Sequence, residues 1–171
     1  MTWHLVESDP GFLAFFDLLA PKRVVTRALS GRTYVVYNYD DDYTNPGAPG
    51  TQSLRLAWSD DLIAWNYVWM PFTLAHHFVT RASIAVDSSG NVYVVYSEYE
   101  ALWVQRHILA KLDADLNVLS QEEFAINQDR VQEYEPYPSI CIDMNDDIHI
   151  SYHYYNGNGG GDVNTLSYVK G

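Results

Sequence analysis

Val92-Tyr93-Val94-Val95-Tyr96 is the stretch that decides the fold, because the same chain contains two relatives of it. Residues 33–37 read Thr-Tyr-Val-Val-Tyr, and residues 148–152 read Ile-His-Ile-Ser-Tyr. The closing tyrosines of the three stretches are 59 and then 56 residues apart. The 19 residues after Tyr152 and the 37 residues up to Tyr37 give a further 56, so the spacing continues across the two chain ends. The sequence therefore predicts three repeats of about 57 residues, a period typical of repeat architectures.

Each repeat is predicted to form antiparallel strands, because short apolar runs alternate with turn residues. The second repeat gives strands at 83–87, 92–96, 105–112 and 118–124, with turns at 88–91 and 113–115. The first repeat gives strands at 53–58 and 63–70 around a turn at 59–62. The third gives strands at 139–143, 148–152 and 165–169, with a turn at 144–147. Gly, Asn and Asp in these turns accept positive φ at low cost, which is typical of hairpins.

Four-stranded repeats of this length predict an all-β fold, a β-propeller in which each repeat is one blade. The predicted unit is a single domain over residues 1–171, with blades at 8–70, 71–124 and 125–171. The last blade lacks a fourth strand, and residues 2–7 form a strand without a partner, which would be an aggregation hazard. Trp3 follows Tyr168 at nearly the spacing that separates Trp58 from Trp65.

Three blades do not close a ring easily, since propellers typically have about four to eight. We therefore expect two chains, head to tail, to form a six-bladed homodimer, because cyclic dimers are the commonest closed assemblies. In it residues 1–7 of each chain complete the partner's last blade. The alternative is that the chain is a fragment of a longer propeller protein.

Charge and composition exclude some functions. The net charge is −12 and the pI about 4.6, which argues against nucleic acid or an anionic membrane as partner. A neutral or cationic ligand fits better. The N-terminus has no basic, apolar signal segment, so the expected location is the cytoplasm. The single Cys141, between Ile140 and Ile142, is predicted to be a buried strand residue.

One turn carries a resemblance to a known family. Ser59, Asp61 and Trp65 resemble the Asp-box of sialidase-type (BNR) propeller repeats, a Ser-x-Asp-x-Gly-x-x-Trp turn between the third and fourth strands of a blade. The glycine is absent here and the spacing is one residue shorter. The run at 84–96 is similar to the opening of such a blade. The resemblance implies a fold more than an activity, since Asp-boxes are structural turns and propellers host many functions.

Sialidases of this fold hold the substrate carboxylate with three arginines and use a Tyr–Glu nucleophile pair with an acidic proton donor. The seven arginines of this chain, at positions 23, 27, 32, 55, 81, 106 and 130, do not stand in the context of that triad. A twofold dimer would also present every residue twice, whereas a central glycosidase site needs different residues in different roles. Non-enzymatic binding is therefore the leading prediction.

The predicted binding face is the one that carries the connections after the second strand of each blade and between blades. Tyrosines there stand beside carboxylates and amides, and together they offer a sugar an aromatic plane and hydrogen-bond acceptors. The candidate ligand-binding residues are Tyr39, Asp40, His76, His77, Arg81, Glu98, Tyr99, Tyr134, Tyr137, Tyr154 and Tyr155. The predicted ligand is a small neutral molecule or glycan.

Two alternatives remain open. Glu133 and Glu135 are candidate acid and base for a glycosidase, and the same face is also suited to a protein partner. No cofactor or metal is predicted. Adjacent histidines such as His76 and His77 point to opposite sides of an extended chain, and the aspartates at 40–42 lack the spacing of an EF-hand.

Overall fold

A computed structural model of the chain describes residues 24–40, 52–70, 79–101, 104–128 and 138–152. These residues form ten β-strands and no helix. The strands are β1 (Val25–Arg27), β2 (Thr33–Asp40), β3 (Gln52–Ser59), β4 (Asn66–Trp69), β5 (Val79–Val86), β6 (Val92–Ala101), β7 (Val104–Leu112), β8 (Val118–Gln128), β9 (Ser139–Ile142) and β10 (Ile148–Ser151). The predicted all-β class is confirmed.

The strands form three antiparallel sheets in chain order. The first sheet is β1-β2-β3-β4, the second sheet is β5-β6-β7-β8, and the third sheet pairs β9 with β10. Every described pairing joins strands that are consecutive in the chain. The predicted strands at 165–169 and 2–7 lie outside the described residues.

The sheets pack on one another through two apolar cores. The first core, between the first and second sheets, includes Tyr34 and Leu56 from one side and Val94 and Tyr96 from the other. The second core lies between the second and third sheets and includes Val95 and Ile140. Alternate residues of β6 enter opposite cores, because successive side chains of a strand point to opposite faces. The near-continuous apolar run at 92–96 is thus the mark of a strand covered on both faces.

Four hairpins of the three sheets share one five-residue turn. The first residue donates its amide to the carbonyl of the fifth, and the fourth donates to the carbonyl of the first. These turns begin at Ala28, Asp87, Asp113 and Asp143. The fourth residue has positive φ in each: 95° at Gly31, 87° at Gly90, 66° at Leu116 and 62° at Asp146. This is the αL position of a hairpin with a bulge, where glycine has no steric cost.

The turn between β3 and β4 is built on a serine and an aspartate. The Ser59 hydroxyl accepts from the amide of Leu62 at 2.8 Å, and Asp61 Oδ1 accepts from the amides of Ile63 and Ala64 at 2.8 and 2.9 Å. Since these amides are bonded within the turn, they cannot join the ladder. Strand β4 therefore begins at Asn66, and the prediction of a strand from residue 63 was wrong at its start.

The prediction for Cys141 was also wrong, because its side chain is exposed. Its neighbours on β9, Ile140 and Ile142, pack into or against the second core. Cys141 lies on the opposite face of β9, which no described element covers. The sequence pattern at 139–143 predicts a strand correctly, but it does not show which face of that strand packs against the second sheet.

Candidate functional site

The three sheets have two dissimilar ends. We call the end that carries the turns at 28–32, 60–65, 87–91, 113–117 and 143–147 the turn end. The opposite end, where β2, β6 and β8 finish and β3, β5 and β7 begin, is the far end. The segments 41–51, 71–78, 102–103 and 129–137, which connect strands at the far end, lie outside the described residues.

The turn end is fastened by hydrogen bonds between sheets. Arg32 donates to Asp60 at 2.8 Å within the first sheet, and to Asp115 and the carbonyl of Ala114 in the second sheet, both at 2.9 Å. These carboxylates hold the pKa of Arg32 well above its usual value. The second and third sheets are joined where the amide and hydroxyl of Ser88 donate to Asp146. Every polar contact named here stabilises the sheets and their turns.

Five of the predicted binding residues fall on described strands near the far end. Tyr39 and Asp40 are the last two residues of β2, Arg81 lies at the bulge of β5, and Glu98 and Tyr99 are near the end of β6. Tyr39, Asp40, Glu98 and Tyr99 were predicted to lie in connecting loops, and that placement was wrong, because β2 and β6 extend further than the apolar pattern indicates. The remaining candidates, His76, His77, Glu133, Tyr134, Glu135, Tyr137, Tyr154 and Tyr155, lie outside the described residues.

Glu98 is fully buried at 0% exposure. It lies two residues after Tyr96 on β6, on the face that packs against the first sheet. The Tyr96 hydroxyl is hydrogen-bonded to the Glu98 carboxylate, and burial, together with the charge of Glu98, raises the pKa of Tyr96 far above its usual range. Gln121 in β8 donates to the Tyr96 hydroxyl at 3.2 Å. A line of hydrogen bonds therefore runs from β8 to a buried carboxylate on β6.

An ion pair lies beside this line of hydrogen bonds. Arg106 in β7 pairs in register with Glu98, and its guanidinium is hydrogen-bonded to the carboxylate of Glu123 in β8. The side chains of Arg106 and Glu123 are 25% and 32% exposed, so solvent reaches the pair while Glu98 behind it is sealed. The register of the second sheet places both residues on the same face as Tyr96. We call Tyr96, Glu98, Arg106, Gln121 and Glu123 the polar cluster.

The other face of the second sheet also carries polar side chains near the far end. The Ser97 hydroxyl lies 3.0 Å from His107 Nδ1, and both side chains are fully buried. The rings of Phe124 and Tyr152 lie 5.9 and 5.2 Å from that of His107. Since these groups are enclosed by aromatic rings and by the third sheet, they are suited to fixing the sheets rather than to contacting a ligand.

The polar cluster has the chemistry of a binding site for hydroxyl groups. The guanidinium of Arg106 supplies several N–H donors, and the carboxylate of Glu123 accepts hydrogen bonds. The Arg106 and Glu123 side chains are partly exposed at the edge of the polar cluster, whereas Tyr96 and Glu98 are buried behind them. In the described part of the chain, no group of three or more His, Cys, Asp or Glu side chains is arranged to hold a metal ion.

Sequence reasoning singled out Glu98 but missed its neighbours. The polar residues that lie near it in the structure are on β7 and β8, and the sequence pattern of those strands predicted a strand but no site. They are Arg106, Gln121 and Glu123. Cross-strand register is the signal that relates them, but a two-residue connection at 102–103 alone would place Glu98 opposite His107. A bulge between Tyr99 and Ala101 shifts the register so that Arg106 is the partner of Glu98.

Comparison of the chain with protein-family models and with curated proteins gives no match to either. The described residues contain no helix with the length and hydropathy that crossing a membrane requires.

Proposed function

We propose that the chain is a ligand-binding propeller subunit that binds a neutral carbohydrate at the far end without catalysing its cleavage. In this proposal each sheet is one blade, three blades belong to each chain, and two chains close a six-bladed ring. The Ser59–Asp61 turn is then a degenerate Asp-box. Its serine and aspartate side chains accept hydrogen bonds from backbone amides of the turn, and Leu62 has a positive φ of 64°, where a glycine would have no steric cost.

The observation that carries the proposal is the contrast between the two ends of the sheets. At the turn end, the contacts described above tie turns to turns and sheets to sheets. At the far end, the second sheet has a partly exposed ion pair, Arg106–Glu123, in front of a sealed Tyr96–Glu98 pair. Buried polar groups cost stability unless they are well bonded, so such a cluster is most readily explained by a function.

A neutral, hydroxyl-rich ligand suits this cluster better than an ion does. Arg106 and Glu123 already neutralise one another, so neither a lone anion nor a lone cation gains a full opposite charge there. Paired donors and acceptors are what sugar hydroxyls need. Tyr39 and Tyr99 lie on strands at the same end, and tyrosine is a residue type that stacks on the C–H face of a sugar ring.

A glycan array probed with the labelled protein tests this function. Arg106→Ala and Glu123→Ala should each abolish binding to the neutral glycans that the unaltered chain retains. Glu122→Ala is the matched control, since Glu122 is the exposed neighbour on the opposite face of β8, and it should bind normally.

Other outcomes would favour the other functions. Release of reducing sugar that is lost in Glu133→Gln or Glu135→Gln would mean a glycosidase. Binding of a cationic protein that weakens with salt would mean a protein-binding scaffold.

The ring has its own test, the solution mass by light scattering. The full chain should be a dimer, and a variant lacking residues 1–7 should dissociate because the partner's last blade loses its outer strand. A full-length monomer would contradict the six-bladed ring, and it would neither support nor contradict the sugar-binding proposal.

A further inference from the structure

The face of the first sheet that is turned away from the second sheet is aromatic and exposed. Ladder partners place Val25, Arg55, Tyr67 and Trp69 on this side, and we call these four residues the aromatic face. Val25, Tyr67 and Trp69 are 51%, 43% and 50% exposed. The guanidinium of Arg55 lies 4.0 Å from the centroid of the Trp69 ring. Side chains of this size are usually covered when they share one face of a sheet.

The other two sheets indicate what covers such a face. Val25 lies three residues before the first residue of its turn, and Ile84 and Ile140 hold the same position in the second and third sheets. Ile84 is 0% exposed and Ile140 is 2% exposed, because in each case the preceding sheet packs on them. Within the described ranges no sheet precedes the first one, so Val25 is left open.

The third sheet has the complementary surface. Its outward face carries Cys141 and His149, which are ladder partners. In the second sheet the position of Cys141 is held by Ala85, which is 1% exposed in the core shared with the third sheet. Cys141 itself is exposed. The described part of the third sheet therefore has no sheet after it, just as the first has none before it.

We propose that the aromatic face of one chain docks on the outward face of the third sheet of a second copy, burying Cys141 against Val25 of that copy. The proposal rests on the homodimer of the proposed function and names the surface that forms it. In the second core, Ala85 and Ile140 belong to one cluster, and Cys141 and Val25 are their equivalents. The new contact repeats one that the fold already makes.

Charge complementarity supports the same pairing. The first sheet presents Arg27 and Arg55 on its outward side. In the third sheet, the carboxylate of Asp143 lies 3.2 Å from His149, which belongs to the outward face. Where the first sheet meets the second, Arg32 already bonds to Asp115 across the junction. Arginine facing aspartate at a turn is thus a contact by which neighbouring sheets of this chain are joined.

The single native cysteine allows a direct cross-linking test. Val25→Cys adds a second thiol, and a short bismaleimide should then join Cys141 of one copy to position 25 of the other, giving a covalent dimer. Leu119→Cys is the control, because Leu119 is 56% exposed on β8, an edge strand of the second sheet, which takes no part in the proposed contact. A dimer yield no greater than that of Leu119→Cys would overturn the docking surface, as would cross-linking of unaltered chains through Cys141 alone.

A second measurement does not depend on linker geometry. In the unaltered dimer, iodoacetamide should alkylate Cys141 at least about tenfold more slowly than in Val25→Arg, whose added charge separates the copies. Leu119→Arg should match the unaltered chain, and circular dichroism checks that all three are folded.

The outcomes separate this inference from the proposed function. If Val25→Arg changes neither the mass of the dimer nor the alkylation rate of Cys141, the proposed docking surface is overturned, although the dimer itself is not. A monomer with slow alkylation would also overturn it, since a segment of the same chain would then cover Cys141. Sugar binding is measured independently of both.

Discussion

The turn end and the far end of the sheets satisfy their polar groups in opposite ways. At the turn end, partly exposed aspartates accept hydrogen bonds from backbone amides a few residues away, as Asp143 does from Asn145 and Asp147. At the far end, the carboxylate of Glu98 is buried and bonded to Tyr96, a side chain of its own strand. The first arrangement is local and faces solvent, whereas the second depends on three strands being in register and on two sheets sealing it.

The difference implies that the two ends respond differently to mutation. A turn that is bonded within five residues loses little when one carboxylate is removed, because water replaces the lost acceptor. A buried donor that loses its acceptor has no such replacement, and the full desolvation cost is then expressed. Stability measurements at matched sites should therefore separate the ends.

The largest effect is expected at Glu98. Glu98→Ala removes the acceptor of the buried Tyr96 hydroxyl and should lower the free energy of unfolding by about 3 kcal/mol. Urea denaturation followed by tryptophan fluorescence measures the change. Glu122→Ala removes an exposed carboxylate on β8 and should change stability by less than about 0.5 kcal/mol. Equal effects at the two glutamates would mean that burial of the Glu98 carboxylate does not determine its contribution to stability.

The next effect lies at a residue of the turn end whose side chain enters the first core. Leu116 has a φ of 66° and is only 4% exposed. Leu116→Gly removes the steric cost of the left-handed backbone but also removes a side chain from the first core. The lost packing should outweigh the relieved strain, so the free energy of unfolding should fall by about 2 kcal/mol. A variant as stable as the unaltered chain would mean that Leu116 contributes no packing.

Much of the fold followed from repeats, because the spacing of Tyr37, Tyr96 and Tyr152 reports strand positions directly. The stretches at 33–37 and 92–96 lie within β2 and β6, and the stretch at 148–152 ends one residue after β10. The start of β4 was missed, since the apolar run at 62–65 does not reveal that Asp61 binds two amides of the turn. Apolarity identifies burial and strand propensity, but hydrogen bonds of a side chain to the backbone decide where a ladder begins.

The candidate site was harder to predict than the strands. Glu98 was singled out for its charge and predicted to lie in a loop, whereas it lies buried in β6. Its neighbours Arg106 and Glu123 come from two other strands, and their meeting depends on a bulge that leaves Phe124 out of the β7–β8 ladder. Composition and alternation do not contain that register, because one extra residue in a strand changes which side chains share a face.

A smaller effect of opposite sign is expected at Leu62. Its φ is 64°, like that of Leu116, but its side chain is exposed. Leu62→Gly relieves the same backbone without emptying a core, so it should stabilise the chain by up to about 1 kcal/mol. The thermal midpoint measures this change, and Leu62 and Leu116 serve as each other's controls. Destabilisation at both sites would show that the left-handed backbone carries no cost here.

The smallest expected effect is the pH dependence of the turn end. Backbone hydrogen bonds hold the pKa values of Asp61 and Asp143 below their usual range, and Asn117 and Ser88 do the same for Asp113 and Asp146. A lowered folded pKa means that the unfolded chain binds more protons, so stability is present above the usual pKa and is lost as pH falls through the lowered values.

Urea midpoints measured between about pH 5 and about pH 2.5 should therefore decline steadily. Asp113→Asn should decline less, because it removes one of the titrating carboxylates and keeps an oxygen that accepts the turn amides. Tyr96 adds nothing to the slope in this window, because its hydroxyl, whose pKa is raised, stays protonated in both the folded and the unfolded chain. Tyr96→Phe should accordingly lower the midpoint at every pH without changing the acid slope. A changed slope would mean that proton uptake at the far end, and not at the turns, governs acid unfolding.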